Sequence, residues 1–140
     1  MKKVLFVCVH NSGRSQMAAA FFNQFAQEKA VADSAGTNPS ASVDPIVIQA
    51  MAELGLDLSQ NTPKLLIYEM TKTADKIVTM GCLKEEGICP AIFVPSEDWG
   101  LPDPKGKDLA GVRVIRDEIK IRVQNLVKDI LSKGSSETSQ

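Results

Sequence analysis

Short apolar runs alternate along this chain with segments in which apolar residues recur every three or four positions. The first pattern predicts buried strands, and the second predicts helices with one apolar face. The predicted strands cover residues 3–9, 31–35, 76–80 and 91–94. The predicted helices cover residues 15–29 and 45–55, a short stretch from Thr62-Pro63 through Met70, and residues 107–133. Strands and helices therefore alternate along the chain.

Two residue pairs that end in proline supply start signals for these helices. Asp44-Pro45 places a capping residue before a proline, which is favoured in the first turn of a helix. Thr62-Pro63 repeats this pair and predicts the start of the short helix. Phe21, Phe22 and Phe25 recur at helical spacing, so we expect them in the core.

Alternating strands and helices predict right-handed crossovers and one parallel sheet. We therefore expect an α/β three-layer sandwich, with a four-stranded parallel sheet between helices. A single domain is expected over residues 1–133, followed by a disordered tail over residues 134–140. Ligands of such sheets bind beyond the carboxyl ends of the strands, where the loop after the first strand lies.

Composition narrows the function classes. The 140 residues are 44% hydrophobic and 24% charged, enough for one domain with a buried core. A net charge of -1 argues against a broad nucleic-acid surface. The apolar stretches are too short to cross a membrane, and the run after Met1 is too short for a signal peptide. Three cysteines, an odd number, fit a reducing compartment, so we expect a cytoplasmic protein.

The strongest chemical signal is the loop between the first strand and the first helix. Cys8 ends the strand, and Arg14 follows six positions later at the helix start. Such a loop directs backbone N–H groups and the positive end of the helix dipole into one concavity. Arg14 adds a two-pronged donor for a tetrahedral anion and favours the thiolate of Cys8, which would be the nucleophile. The expected anion-binding residues are Val9, His10, Asn11, Ser12, Gly13, Arg14 and Ser15.

The same residues have plainer interpretations. Cys8 could be an inert buried thiol, and Arg14 could lie on a solvated helix face. Against this, a helix start disfavours a cation unless an anion is bound there. Ser15 could cap the helix or donate to the sulfur of Cys8, and both roles remain open. His10, the only histidine, is assigned no catalytic role.

Cys82 and Asp103 are expected at the same edge of the sheet, because each follows a predicted strand. Cys82 follows the third predicted strand, and Cys89 lies seven residues later. They could form a disulfide across a short loop or be two unrelated thiols, while their spacing does not suit a zinc site. Asp103, between Pro102 and Pro104, would be an ordinary turn residue on its own. Near an anion pocket, however, it could keep a proton for a departing oxygen.

These residues resemble a known family, the low-molecular-weight protein tyrosine phosphatases and the arsenate reductases that share their fold. The resemblance covers nearly the whole chain and implies a flavodoxin-like topology. Its most specific element is the Cys-x5-Arg-Ser loop of residues 8–15. Gln16-Met17-Ala18, Ser34-Ala35-Gly36 and Asp103-Pro104 also match. Cys82 and Cys89 look like the extra redox pair of the thioredoxin-coupled reductases.

The resemblance implies an arsenate reductase that works by a relay of three thiols. Cys8 would attack arsenate held by the loop and Arg14, while Asp103 protonates the departing oxygen. Cys82 would then attack Cys8 and release arsenite, and Cys89 would attack Cys82. Thioredoxin would reduce the resulting disulfide. Phosphate is an expected analogue of arsenate, so weak phosphatase activity is also expected, and no cofactor is implied.

Other functions remain open at this point. A phosphatase of this family usually carries a tyrosine directly after the acid Asp-Pro pair, whereas Lys105 stands here. A small thiol such as mycothiol could replace thioredoxin, as the Gly81-Cys82 context resembles reductases of that type. Some relatives bind potassium through an acidic residue at the position of Ala19, so we predict no metal site. A phosphocarrier would not need Asp103 or the thiol pair, and a noncatalytic anion-binding domain would not need a nucleophile.

Overall fold

The computed structural model describes residues 1–80 and 96–138 of the chain. Its strands are β1 (Lys2–Cys8), β2 (Ala30–Gly36), β3 (Lys76–Thr79) and β4 (Ser96–Asp98). Its helices are α1 (Arg14–Ala26), α2 (Pro45–Ala52), α3 (Tyr68–Thr73) and α4 (Leu109–Thr138). Asp44 caps α2 as predicted, because its side chain accepts a hydrogen bond from the N–H of Ile46 at 3.0 Å.

The four strands form one sheet in the order β2-β1-β3-β4, and every neighbouring pair is parallel. In this register Val7 of β1 faces Ala35 of β2 on one side and Thr79 of β3 on the other. The carboxyl ends of the three strands therefore meet beside Cys8. The α/β fold with a four-stranded parallel sheet is thus confirmed. The strand predicted over residues 91–94 lies outside the described residues, and the described fourth strand is β4.

Alternation along β1 decides which face of the sheet each side chain joins. Val4, Phe6 and Cys8 belong to the larger apolar core, which includes α1, α2 and α4. Leu5 and Val7 belong to a smaller cluster on the opposite face. All five side chains are at most 2% exposed. The side chain of Cys8 thus lies on the face of the sheet that is covered by α1, the helix that begins after the loop.

The expectation that a helix starts at Thr62-Pro63 is wrong. Residues 64–66 instead lie along the outer edge of β2, where Leu65 forms a bridge with Gly36. The N–H of Gly36 donates to the carbonyl of Lys64, and the N–H of Leu66 donates to that of Gly36, both at 2.8 Å. Because these backbone groups pair with the edge strand, they are not available for a helix, and α3 starts only at Tyr68.

The last helix extends further than expected. Its buried stripe includes Val112, Ile115, Ile119 and Val123, in agreement with the predicted amphipathic pattern. It ends at Thr138. The domain boundary at residue 133 and the disordered tail from residue 134 stay predictions.

The described part of the chain contains no candidate membrane-spanning helix. None of the helices within residues 1–80 and 96–138 combines the length and the apolar character that a bilayer span requires.

Candidate active site

Cys8 lies at the end of β1 and is 2% exposed. Its sulfur receives a hydrogen bond from the backbone N–H of Asn11 at 3.2 Å. Asn11 is itself fully buried and has a φ of 51°, a left-handed conformation that asparagine tolerates better than most residues. The chain therefore bends back sharply over the thiol, and the loop begins to close around it.

The carbonyl groups of the loop all find partners elsewhere. Four of them accept hydrogen bonds from backbone N–H groups in the segment after β2: Cys8 from Thr37 (3.2 Å), Val9 from Asn38 (2.8 Å), His10 from Ser40 (3.0 Å) and Ser12 from Asp44 (2.9 Å). Because a trans peptide unit directs its N–H opposite to its C=O, the N–H groups of the loop point away from that segment. Residues 37–44 thus orient the loop as a cradle of donors for an anion.

His10 also contacts this supporting segment. Its ring nitrogen Nδ1 lies 3.1 Å from the carbonyl oxygen of Asn38, which can only accept, so Nδ1 carries the proton. The ring thereby adds a second link between the loop and Asn38, in addition to the backbone bond to Val9. This contact gives His10 a part in holding the loop against residues 37–44.

The geometry decides between the two roles left open for Ser15. Its hydroxyl oxygen accepts a hydrogen bond from Nδ2 of Asn11 at 2.7 Å and lies 2.9 Å from the sulfur of Cys8. Either atom of this pair could donate while Cys8 is a thiol, whereas a Cys8 thiolate could only accept the hydroxyl proton of Ser15. Ser15 therefore contacts the sulfur of Cys8. It does not cap α1, since the N-cap position is Gly13.

Among the side chains that the structure describes, Arg14 is the largest fully buried one, at 2% exposed. Its Nη1 donates to the carbonyl oxygen of Leu101 at 2.8 Å, and this bond to a residue 87 positions later in the chain holds the guanidinium in place. Its Nη2 lies 3.9 Å from Oδ2 of Asp103. A buried, oriented guanidinium beside the donor cradle supplies the charge that a bound dianion would need.

Asp103 reaches the site from the segment between β4 and α4. Its Oδ1 accepts a hydrogen bond from the N–H of Lys105 at 3.0 Å, so Oδ2 is the oxygen directed toward Arg14. The next residue, Pro104, packs against the loop so closely that a methyl group on Gly13 would lie 2.6 Å from its Cγ. Pro104 and the loop are therefore in close contact, and a side chain at position 13 would force one of them to move.

The structure thus brings Cys8, Arg14, Ser15 and Asp103 together at one edge of the sheet. Cys82 and Cys89 lie outside the described residues. Within residues 1–80 and 96–138, no three histidine, cysteine, aspartate or glutamate side chains form a group able to hold a metal ion.

Two supporting features were not found by sequence reasoning. One is the segment of residues 37–44 that orients the loop, and the other is the side chain of Gln16. Gln16 is 4% exposed and donates to both the backbone oxygen and Oδ1 of Asn11, each at 3.1 Å. Its sequence signal was its place in the matching Gln16-Met17-Ala18 segment, which assigned it no role.

Comparison with known proteins places this geometry in a family. The family model of the low molecular weight phosphotyrosine protein phosphatases matches residues 3–136. The chain belongs to that family. A Halobacterium salinarum relative is 40% identical over 126 residues, covering 86% of this chain and 87% of its own length. The arsenate reductase of Staphylococcus aureus is 36% identical and covers 89% of this chain and 95% of its own.

Solved structures agree with this family membership. An arsenate reductase in its phosphate-binding state has a TM-score of 0.80 at 36% identity, over 93% of this chain and 99% of its own. The thioredoxin-dependent arsenate reductase of Corynebacterium glutamicum scores 0.78 at 32% identity, over 95% of this chain and 63% of its own. An arginine phosphatase from Geobacillus stearothermophilus scores 0.86 over 97% of each chain, but at 21% identity it shows the shared fold alone.

Proposed function

We propose that this protein is an arsenate reductase that uses Cys8 as its nucleophile and Cys82 and Cys89 as a redox pair. One observation carries the proposal: the buried thiol of Cys8 lies in a cradle of donors with Arg14 and Asp103, in a chain that encodes two more thiols just after β3. A phosphatase of this type needs the cradle, the arginine and the acid, but it has no use for the second and third thiols.

In the first step, the thiolate of Cys8 attacks the arsenic of arsenate. A sulfur–arsenic bond forms, and one oxygen leaves as water after Asp103 donates its proton through Oδ2. Arg14 and the loop N–H groups neutralise the charge of the remaining oxygens, which is the largest electrostatic requirement of such a transfer. Ser15 stabilises the thiolate before the attack and again when Cys8 is released.

In the second step, the thiolate of Cys82 attacks the sulfur of Cys8. A disulfide forms as the sulfur–arsenic bond breaks, and its electron pair stays on arsenic, which leaves as arsenite. The N–H of Met80 donates to the carbonyl of Val7 at 2.8 Å, so the chain passes directly beside the nucleophile strand two residues before Cys82. Connectivity alone limits the distance between the α-carbons of Met80 and Cys82 to about 7 Å.

In the third step, the thiolate of Cys89 attacks Cys82 and restores Cys8 as a thiolate. A dithiol protein such as thioredoxin then reduces the Cys82–Cys89 disulfide by thiol–disulfide exchange. The similarity to the thioredoxin-dependent enzyme of Corynebacterium glutamicum supports this reductant over a small thiol such as mycothiol. Because all three thiols must start reduced, we place the reaction in the cytoplasm.

Phosphate ester hydrolysis is the second candidate activity, and it would use the same cradle. Phosphate and arsenate share shape and charge, and a similar reductase binds phosphate. We therefore propose weak phosphatase activity through a phosphocysteine on Cys8. Lys105 follows the Asp103-Pro104 pair, so this position offers no aromatic ring to a phosphotyrosine substrate.

The test is arsenate-dependent oxidation of NADPH in the presence of thioredoxin and thioredoxin reductase. Wild type is compared with Cys89→Ser, and both proteins are assayed on para-nitrophenyl phosphate. We expect continuous turnover in wild type and one equivalent of arsenite per Cys89→Ser molecule, with hydrolysis equal in both.

Two outcomes would contradict parts of the proposal. Absence of NADPH oxidation in wild type with intact hydrolysis would refute thioredoxin as the reductant, and repeating the assay with mycothiol and its redoxin would test the small-thiol alternative. Full turnover by Cys89→Ser would refute the three-thiol relay.

A further inference from the structure

Asn11 links the nucleophile to the rest of the loop. Its backbone N–H donates to the sulfur of Cys8 at 3.2 Å, and its Nδ2 donates to the hydroxyl of Ser15 at 2.7 Å. The direction of the Ser15 hydroxyl therefore depends on the position of the Asn11 amide. Since Asn11 holds a left-handed backbone at a φ of 51°, its conformation must be stabilised by its neighbours.

Those neighbours act on the two oxygens of Asn11. Oδ1 accepts from the N–H of Lys64 at 2.8 Å and from Nε2 of Gln16 at 3.1 Å. The backbone oxygen also accepts from Nε2 of Gln16 at 3.1 Å. The carbonyls of Cys8, Val9, His10 and Ser12 bond to backbone N–H groups of residues 37–44, whereas that of Asn11 is satisfied by this side chain.

Gln16 is well placed to act as a fixed clamp. Its amide carries two hydrogens on one nitrogen, so it can hold both oxygens of Asn11 at once. Its Oε1 accepts from Nδ2 of Asn61 at 3.1 Å, which orients the amide with the nitrogen toward Asn11. Its side chain is 4% exposed, so water does not offer these oxygens an equal replacement.

We propose that Gln16 is a positioning residue that fixes Asn11 and thereby aims the Ser15 hydroxyl at the sulfur of Cys8. The sequence of contacts runs from Asn61 to Gln16, then to Asn11, Ser15 and Cys8. Gln16 need not touch the anion for this role. The inference rests on Cys8 being the nucleophile, as in the proposed function, but it does not depend on arsenate being the substrate.

The test compares Gln16→Met and Gln16→Glu with wild type. Methionine keeps the volume of the side chain and removes every hydrogen bond, while glutamate keeps the acceptor for Asn61 and removes the two donors. Gln24→Met is the matched control, since Gln24 lies on the same helix and is exposed. Hydrolysis of para-nitrophenyl phosphate gives kcat and KM. Mass spectrometry of the peptide that contains Cys8 gives its rate of alkylation by iodoacetamide as a function of pH.

We expect both Gln16 variants to lose about tenfold or more in kcat, with a smaller change in KM, because a misdirected nucleophile loses near-attack geometry. The pH profile of Cys8 alkylation should move to higher pH in both variants and stay unchanged in Gln24→Met. A purely structural role would lower Tm while leaving kcat per folded molecule and the alkylation profile as in wild type.

The proposal is overturned if a folded Gln16 variant keeps both the kcat and the alkylation profile of wild type. If Gln16→Met fails to fold by circular dichroism, Gln16→Leu takes its place, because it also lacks hydrogen-bonding groups and adds no charge, whereas the carboxylate of Gln16→Glu would by itself disfavour an anion at the site. Both readouts follow Cys8 directly, so they decide the role of Gln16 even if wild type does not reduce arsenate. A failure of arsenate reduction would count against the proposed function only.

Discussion

Replacing Gly13 with alanine tests how closely the acid-bearing segment lies on the anion loop. The added methyl group would lie 2.6 Å from Cγ of Pro104 and 3.4 Å from its Cδ. Carbon atoms in contact normally lie about 3.5 Å apart or more, so the Pro104 ring must retreat by roughly 0.9 Å. Because a proline ring cannot rotate away from its own backbone, Asp103 must move with it.

This displacement should affect both stability and activity. Overpacking of a tight contact costs about 1–3 kcal/mol of folding free energy, which corresponds to a Tm lowered by roughly 3–12 °C in a domain of this size. A shift of about 1 Å in a reacting group can lower turnover about 100-fold. We therefore expect Gly13→Ala to reduce kcat for para-nitrophenyl phosphate by about 10- to 100-fold.

The assay combines hydrolysis kinetics with thermal unfolding on wild type and four variants. Gly111→Ala is the matched control, because the nearest atoms to its added methyl would be side-chain atoms of Lys107 and Asp108, just before α4. Pro104→Ala removes the ring atom in question, so the double variant with Gly13→Ala should regain activity relative to Gly13→Ala alone. A double-mutant cycle then measures the coupling of the two positions.

The reasoning would be refuted by a folded Gly13→Ala protein with kcat within about twofold of wild type. It would also be refuted if the double variant were no more active than Gly13→Ala alone. In that case the loss would come from the backbone of residue 13 and not from its contact with Pro104.

Three further predictions concern Ser15 beside the sulfur of Cys8, Gly36 beneath the anion loop, and the ion pairs of Glu53. Ser15→Ala should lower kcat/KM for para-nitrophenyl phosphate by about 10- to 100-fold, because a hydrogen bond to a charged group contributes about 1.5–3 kcal/mol. The exposed Ser59→Ala is the control, and equal rates in Ser15→Ala and wild type would contradict the role of Ser15. Gly36→Ala should destabilise the protein by about 1–3 kcal/mol in urea unfolding, since its methyl would lie 2.6 Å from the carbonyl oxygen of Val9 and 2.9 Å from the N–H nitrogen of Asn11; an unchanged midpoint would show that the loop can yield. Hydrogen bonds from Arg113 and Arg116 lower the pKa of Glu53 from 4.5 to about 2, so its contribution to stability is full above pH 4.5 and is lost as the pH falls through about 2. The free energy of unfolding in urea should therefore decline less steeply over that range in Glu53→Gln than in wild type, and parallel curves of this free energy against pH would exclude the contribution.

Much of the site could be predicted from the sequence because its central part is local. Cys8 ends a continuous apolar strand, and Arg14 begins a helix only six positions later, so both lie on one loop whatever the rest of the chain does. The period of two along β1 places Cys8 with Val4 and Phe6 on the α1 face. The period of 3.6 along α4 likewise predicts its buried stripe, since both periods follow from backbone geometry alone.

Tertiary structure decided the contacts between distant segments. The approach of Asp103 to Arg14 and the bond from Arg14 to Leu101 join positions almost ninety residues apart, and these depend on how the segment after β4 packs. Residues 64–66 follow the helix start signal Thr62-Pro63, but pairing with the edge of β2 satisfies their backbone groups better than an isolated turn would. Local signals describe what a segment can form, whereas the choice among partners depends on which buried groups still need hydrogen bonds once the chain has packed.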